Sequence, residues 1–221
     1  MVPRGIRDVA EILNHDVSAV EKMPGVTGII LAGGKNVRLR IDKLSLCVDG
    51  ESVFDRMITL FGQLFERTVI SVAAKTQVSL PGCEIVEDQF PGSLGGIYSG
   101  LSAARTDVAF VAGCDMPFIS ADLVRYEAEF AWDYDVVIPR GRAGLEPLHA
   151  FYSKGCLEPI HARLRENRLS IRGFFDEVRI KEIGLAEIVQ YDPEELSFFN
   201  INTQADLLRA EEIKRCIAVR S

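Results

Sequence analysis

No run of apolar residues in this 221-residue chain approaches the length of a membrane-spanning helix. No two of its five cysteines stand in C-x-x-C spacing, and an odd number cannot pair off completely. Cys47, Cys83, Cys114, Cys156 and Cys216 therefore argue against a zinc knot or a disulfide framework, and a reducing cytoplasm is the expected compartment. Cations are in deficit, 25 Lys and Arg against 32 Asp and Glu, a net charge of −7. Nucleic-acid surfaces need the opposite excess, so no nucleic-acid partner is expected, although a small anionic ligand needs only a few local cations. The first residues lack the apolar core of a signal peptide, because Arg7, Asp8, Glu11, His15 and Asp16 interrupt it. The sequence has no internal repeat and no low-complexity tract. Its glycine-rich stretches match neither a Walker A loop nor the G-x-G-x-x-G of a dinucleotide fold.

What is present is ordinary globular material: 48% hydrophobic and 26% charged residues, enough for a sizeable core. Ile6, Val9, Leu13, Val17 and Val20 recur at helical steps and predict an amphipathic helix over 6–22, which Pro24-Gly25 ends. Residues 1–24 thus read as a helical appendage and 25–221 as the main domain. In that domain strands are expected at Val26–Ala32, Thr68–Ala73, Cys83–Val86, Val108–Gly113, Val136–Pro139 and Leu148–Tyr152. Helices are expected at Val53–Phe65, Leu94–Ala104, Ala121–Phe130 (capped by Ser120), Cys156–Arg165 and Thr203–Cys216, the last with Thr203 and Asp206 at capping-box spacing. Repeated strand–helix alternation implies an α/β fold, a Rossmann-like, mostly parallel sheet with helices on both faces. Ligands of such sheets bind beyond the carboxyl ends of the strands.

Three strand ends carry chemistry. After the first strand comes Leu31-Ala32-Gly33-Gly34-Lys35-Asn36-Val37-Arg38-Leu39-Arg40-Ile41-Asp42-Lys43. Paired glycines allow close approach of backbone N–H groups to phosphate oxygens, and four cations in nine residues suit a triphosphate. A solvated basic loop is the alternative. Cys114-Asp115-Met116-Pro117 follows Val108–Gly113, placing Asp115 where a carboxylate can hold a divalent metal against phosphates; the alternative is a cap for the following helix. Glu87-Asp88 follows the third strand and leads to Pro91-Gly92-Ser93-Leu94-Gly95-Gly96, a stretch suited to close ligand approach or to a plain connection. His149, between apolar residues, reads as a hydrogen-bonded structural histidine. Asn200 and Asn202 share one face of an extended stretch, to reach a ligand or to shape the turn into the last helix. Arg163, Arg165, Arg168 and Arg172 form a basic cluster, read as a solvated face or a contact for phosphate.

In order, Leu-Ala-Gly-Gly-x-x-x-Arg, Asp-Lys, the Glu-Asp pair, Pro-Gly-x-Leu-Gly-Gly, Cys-Asp-Met-Pro and Asn-Ile-Asn-Thr resemble the molybdenum cofactor guanylyltransferase family over about residues 26–216. The resemblance implies a nucleotidyltransferase of the nucleotide-diphospho-sugar transferase type that uses GTP and Mg²⁺ and takes molybdopterin as acceptor. It implies nucleotide contacts from Leu31, Ala32, Gly33, Lys43, Asp88 and Asp115, with Asp115 also the metal ligand; the glycine-rich stretches themselves add Gly34 and Gly95 as expected nucleotide contacts. Arg38, Lys43 and Asp115 would carry catalysis, and Asn200 and Asn202 would face the acceptor. Molybdoenzyme-maturation proteins are the macromolecular partners such an enzyme would meet. The sequence departs from the family at two places. Arg40 stands where a glycine is usual, and Ser71-Val72-Ala73 occupies the region of a base-reading asparagine. The remaining alternatives are a molybdopterin cytidylyltransferase or a sugar-phosphate nucleotidyltransferase of the same fold, and a non-catalytic nucleotide-binding regulator.

Overall fold

The computed structural model describes residues 22–33, 43–73 and 80–220. The helix expected over 6–22 lies outside them, apart from Lys22, as does most of the basic loop after the first strand. The first strand, β1, spans Met23–Leu31 and so starts ahead of Val26. Its ladder with the neighbouring strand slips between Met23 and Thr27, where Pro24 has no N–H to donate and Gly25 takes φ 72°. A small hairpin follows, β2 (Cys47–Val48) and β3 (Glu51–Ser52). Helix α1 (Val53–Leu64) then starts on a cap in which Ser52 Oγ accepts from Asp55 N. Phe65, expected at the helix end, instead opens β4 (Phe65–Val72) with no intervening loop.

The order continues with β5 (Cys83–Glu87), α2 (Gly92–Ala103), β6 (Val108–Gly113), α3 (Ala121–Ala128), β7 (Val136–Gly141), β8 (Gly144–Leu145), β9 (His149–Ser153) and α4 (Leu157–Arg165). Ser120 caps α3 as expected, its Oγ accepting from Leu123 N at 3.3 Å. Several short elements have no counterpart in the sequence-based expectation, among them the hairpin β2–β3, strand β8, a 3-10 stretch Ile171–Glu177, strand β10 (Ile180–Ile183) and helix α5 (Leu185–Tyr191). Elements this short hold too few residues to display a period. The last helix, α6 (Gln204–Arg220), begins with the anticipated reciprocal pair, Asp206 N to Thr203 Oγ1 and Thr203 N to Asp206 Oδ2.

Apart from the β2–β3 hairpin, the strands form one sheet in the order β10-β7-β9-β6-β1-β4-β5, with β8 joined to β7. Pairings β6–β1, β1–β4, β4–β5 and β10–β7 are parallel; β9 runs against both β6 and β7, and the short β8 runs against β7. The alternation of side chains along β1 serves two cores. Ile30 packs with Phe54, Met57 and Phe61 of α1 and with Leu123 of α3 on one face. Ile29 and Leu31 pack with Leu94, Ile97 and Leu101 of α2 and with Ile160 of α4 on the other. A third cluster, Leu46, Val48, Val53, Ile201 and Ala210, pins the start of α6 to the hairpin. No helix among the described residues is long and apolar enough to cross a membrane.

Candidate functional site

From β1 the chain moves outward through β4 and β5, then returns to lay β6 on the other side of β1. The winding direction reverses between β1 and β6, the position at which open α/β sheets leave a crevice beyond their strand ends. Gly33 and Asp115 stand on its two sides. Backbone bonds tie the strand ends together: Ala32 N donates to Ser71 O at 2.8 Å, and Cys114 N donates to Leu31 O at 3.1 Å. Leu31 and Ala32 are buried, and Gly33 is partly exposed.

Asp115 follows the fully buried strand β6 and is itself only 4% exposed. The turn is closed by Met116 N donating to Gly113 O at 3.3 Å. The carboxylate folds back over Gly113, where a Cβ would fall 2.8 Å from Oδ1, so a larger residue there would displace the carboxylate. The Asp115 carbonyl accepts from Ile201 N at 3.0 Å, which brings the Asn200–Asn202 segment to the end of β6. Asn200 is partly buried and donates from Nδ2 to Phe198 O at 2.9 Å; Asn202 is exposed, its backbone N–H bound to Asp206 Oδ2. Buried Ile201 between them turns both amides away from the core.

Asp88 sits beyond β5, its N–H donating to Val72 O at 2.8 Å. Ser71, completely buried at the end of β4, donates from Oγ to Asp88 Oδ1. The other oxygen, Oδ2, lies against Gly33, where a Cβ would come within 2.7 Å. Burial pushes the Asp88 carboxyl above the usual carboxylate range, and the Ser71 hydroxyl partly offsets that rise. Two acidic strand ends therefore flank the glycine that follows β1.

The other expected residues are placed differently. Gly95 is buried in the first turn of α2, and its close approach is to the Phe90 carbonyl, 2.1 Å from where a Cβ would stand. Lys43 opens a short 3-10 turn, Lys43–Ser45. Gly34, Arg38 and Arg40 lie outside the described residues. Members of the arginine cluster are engaged within the fold: Arg163 with Glu177 at 2.9 Å, Arg168 with Glu166 at 3.3 Å, and Arg172 donating to Leu145 O at 2.9 Å.

Two features escaped the sequence reading. In the sequence Ser71 marks only a departure from the family, and no local pattern announces that its hydroxyl reaches seventeen residues on to Asp88. Glu127 meets His149 in the core, Oε1 to Nε2 3.4 Å, with both side chains fully buried. A signal for Glu127 existed: it follows Leu123 and Val124 at helical spacing and so belongs to the apolar stripe of α3.

Comparison with known proteins bears on this arrangement. Residues 28–181 match the family model of the MobA-like NTP transferase domain. A probable molybdenum cofactor guanylyltransferase of Pelotomaculum thermopropionicum is 36% identical over 188 residues, 83% of this chain and 91% of that protein. A molybdenum cofactor guanylyltransferase of Desulfosudis oleivorans is 35% identical over 195 residues, 86% of this chain and 96% of that protein. The crystal structure of molybdopterin-guanine dinucleotide biosynthesis protein A from Archaeoglobus fulgidus shares the fold with a TM-score of 0.78 at 24% identity, covering 86% of this chain and 99% of that one. With the family model and the sequences of these relatives in agreement, this chain belongs to the molybdenum cofactor guanylyltransferase family of MobA-like NTP transferases.

Proposed function

We propose that this protein transfers GMP from GTP to the phosphate of molybdenum-molybdopterin and releases pyrophosphate, a step of molybdenum cofactor biosynthesis. The observation that carries the reading is the pair of carboxylates, Asp115 and Asp88, on either side of Gly33 at the reversal of the sheet. In this reading a phosphate oxygen of the acceptor attacks the α-phosphorus of GTP in line. The new O–P bond forms as the bond to the β-phosphate breaks. The attacking phosphate is already ionised near neutral pH, so the protein supplies neither nucleophile nor strong base. Its work is positioning and electrostatics.

Leu31, Ala32 and Gly33 line the nucleotide side, with Gly34 and Gly95 as further backbone elements. Asp88 offers an acceptor oxygen beside Gly33. Lys43 and Arg38 neutralise charge on the leaving pyrophosphate, and Asn200 and Asn202 face the acceptor. Among the described residues no group of three or more His, Cys, Asp or Glu is gathered to hold a metal. That sparse donor set fits Mg²⁺, which takes one or two carboxylates and fills its octahedron with phosphate and water oxygens. Asp115 would hold it, and when bound it would neutralise the reacting phosphates.

We place the start of the transferase domain at Met23, where β1 begins, two residues ahead of the expected 25, and read the residues before it as an appendage. The reducing cytoplasm is the assigned compartment, supported by five cysteines without a disulfide among them. The test is pyrophosphate release from GTP, Mg²⁺ and molybdenum-molybdopterin by purified protein. Asp115→Asn is expected to lower kcat by at least about a hundredfold while the melting temperature holds. Near-normal turnover in that variant would remove Asp115 from the metal assignment.

A further inference from the structure

Two ionisable side chains with no part in the transfer step lie completely buried. Glu127 on α3 and His149 at the start of β9 face each other at 3.4 Å. Neither carboxylate oxygen and neither ring nitrogen has a hydrogen-bond partner among the described residues, so the two side chains meet by proximity at Oε1 and Nε2. Such a pair is a poor way to stabilise a core, because well-packed apolar residues of the same volume do as well or better. What the pair can do is fix an orientation.

The contacts of His149 lead to the site from two directions. Along β9, His149 is in register with Ala112 of β6, and Leu148 O accepts from Gly113 N at 3.3 Å, two residues before Asp115. Across the core, the imidazole stands edge-on to Phe110 of β6, centroids 5.0 Å apart, and edge-on to Phe198, centroids 5.1 Å apart. Phe198 O in turn accepts from Asn200 Nδ2, and Ile201 N donates to Asp115 O. The ring is a wedge between the strand that ends in Asp115 and the loop that bears Asn200. Glu127 Oε1, 3.4 Å from Nε2, bounds that wedge on the side of α3.

We infer that Glu127 is a positioning residue for the acceptor half of the site, acting through the His149 ring and Phe198 on the amide of Asn200. The functional part of this inference rests on the reading of Asn200 as an acceptor contact. Glu127→Leu removes the partner of the imidazole and keeps apolar volume; Glu127→Gln keeps a group that can hydrogen-bond to it. The double variant Glu127→Leu/His149→Phe replaces the pair by an apolar one and guards against a fold lost to an unpaired histidine.

Two readouts are taken together: the side-chain amide resonances of Asn200 in isotope-labelled protein, and the separate KM values for GTP and acceptor. Glu127→Leu is expected to shift the Asn200 resonances and to raise the acceptor KM about tenfold, with kcat and the GTP KM within about twofold. Glu127→Gln is expected to restore both. The double variant is expected to melt at or above the wild-type temperature and still show the raised acceptor KM, which a purely structural role would not produce. Unmoved Asn200 resonances in the folded variants overturn the inference whatever the activity, as does a loss shared equally by GTP and acceptor. If the wild-type protein releases no pyrophosphate, the transfer reading fails, and the Asn200 resonances alone decide whether Glu127 positions that amide.

Discussion

Ser71 lies at the end of β4, and the structure gives its hydroxyl a definite task. It is fully buried and spends its proton on Asp88. Its loss removes from a half-buried carboxylate the one side-chain donor seen among the described residues, which costs about 1–3 kcal/mol. Ser71→Ala is therefore expected to weaken GTP binding about tenfold at neutral pH, measured by calorimetry. The sign of the pH effect follows from the same bond. Burial already raises the Asp88 carboxyl and Ser71 lowers it, so the variant raises it further. A carboxyl raised in the folded state contributes stability below its unfolded pKa and loses it as pH rises through the folded value. The Ser71→Ala protein is thus expected to lose more melting temperature than wild type as pH rises from the acid range to neutral. An identical pH profile would mean that Asp88 does not depend on Ser71.

Elements are held on this sheet by missing side chains as much as by present ones. Gly28 lies mid-strand in β1, and a Cβ there would fall 2.4 Å from both Phe61 of α1 and Phe65 of β4. Those rings pack edge to face with centroids 5.1 Å apart and join Phe110 of β6 beneath the site. Phe61 and Phe65 are both fully buried, so neither can move aside into solvent. Gly28→Ala is expected to destabilise the protein by about 1–3 kcal/mol in urea unfolding, as overpacked cores do. A stability within experimental error of wild type would show that α1 can slide outward at no cost. Gly100 makes the matching approach on the opposite face, where a Cβ would meet Ile29 at 2.5 Å. Each helix that flanks β1 thus rests on one glycine. Positions of this kind are silent in a single sequence, because a glycine kept for packing looks the same as one kept for a turn.

At the scale of the whole molecule, binding should appear as stability. A ligand at a hundredfold its Kd adds about 2.7 kcal/mol to the native state. For a chain of this size that is about 5–10 °C in melting temperature. GTP with Mg²⁺ is expected to give such a rise, chelation to shrink it, and CTP, ATP and UTP to fall short of it. A larger rise with CTP would keep the fold and the chemistry and transfer this protein's specificity to a cytidylyl reaction. The acidic surface, net −7, makes local cations rather than overall charge responsible for holding the triphosphate. The fold class, most of the larger strands and helices, the caps at Ser120 and Thr203, and the acidic strand ends were all legible in the sequence. Each rests on local pattern: buried runs, helical periods, and turn or capping residues at short spacing. The antiparallel course of β9, the elements β10 and α5, the Ser71–Asp88 bond and the Glu127–His149 pair were decided only by tertiary structure. They join residues 17 and more apart in sequence, or rest on segments too short to carry a period, and such contacts exist only once the sheet has brought its strand ends together.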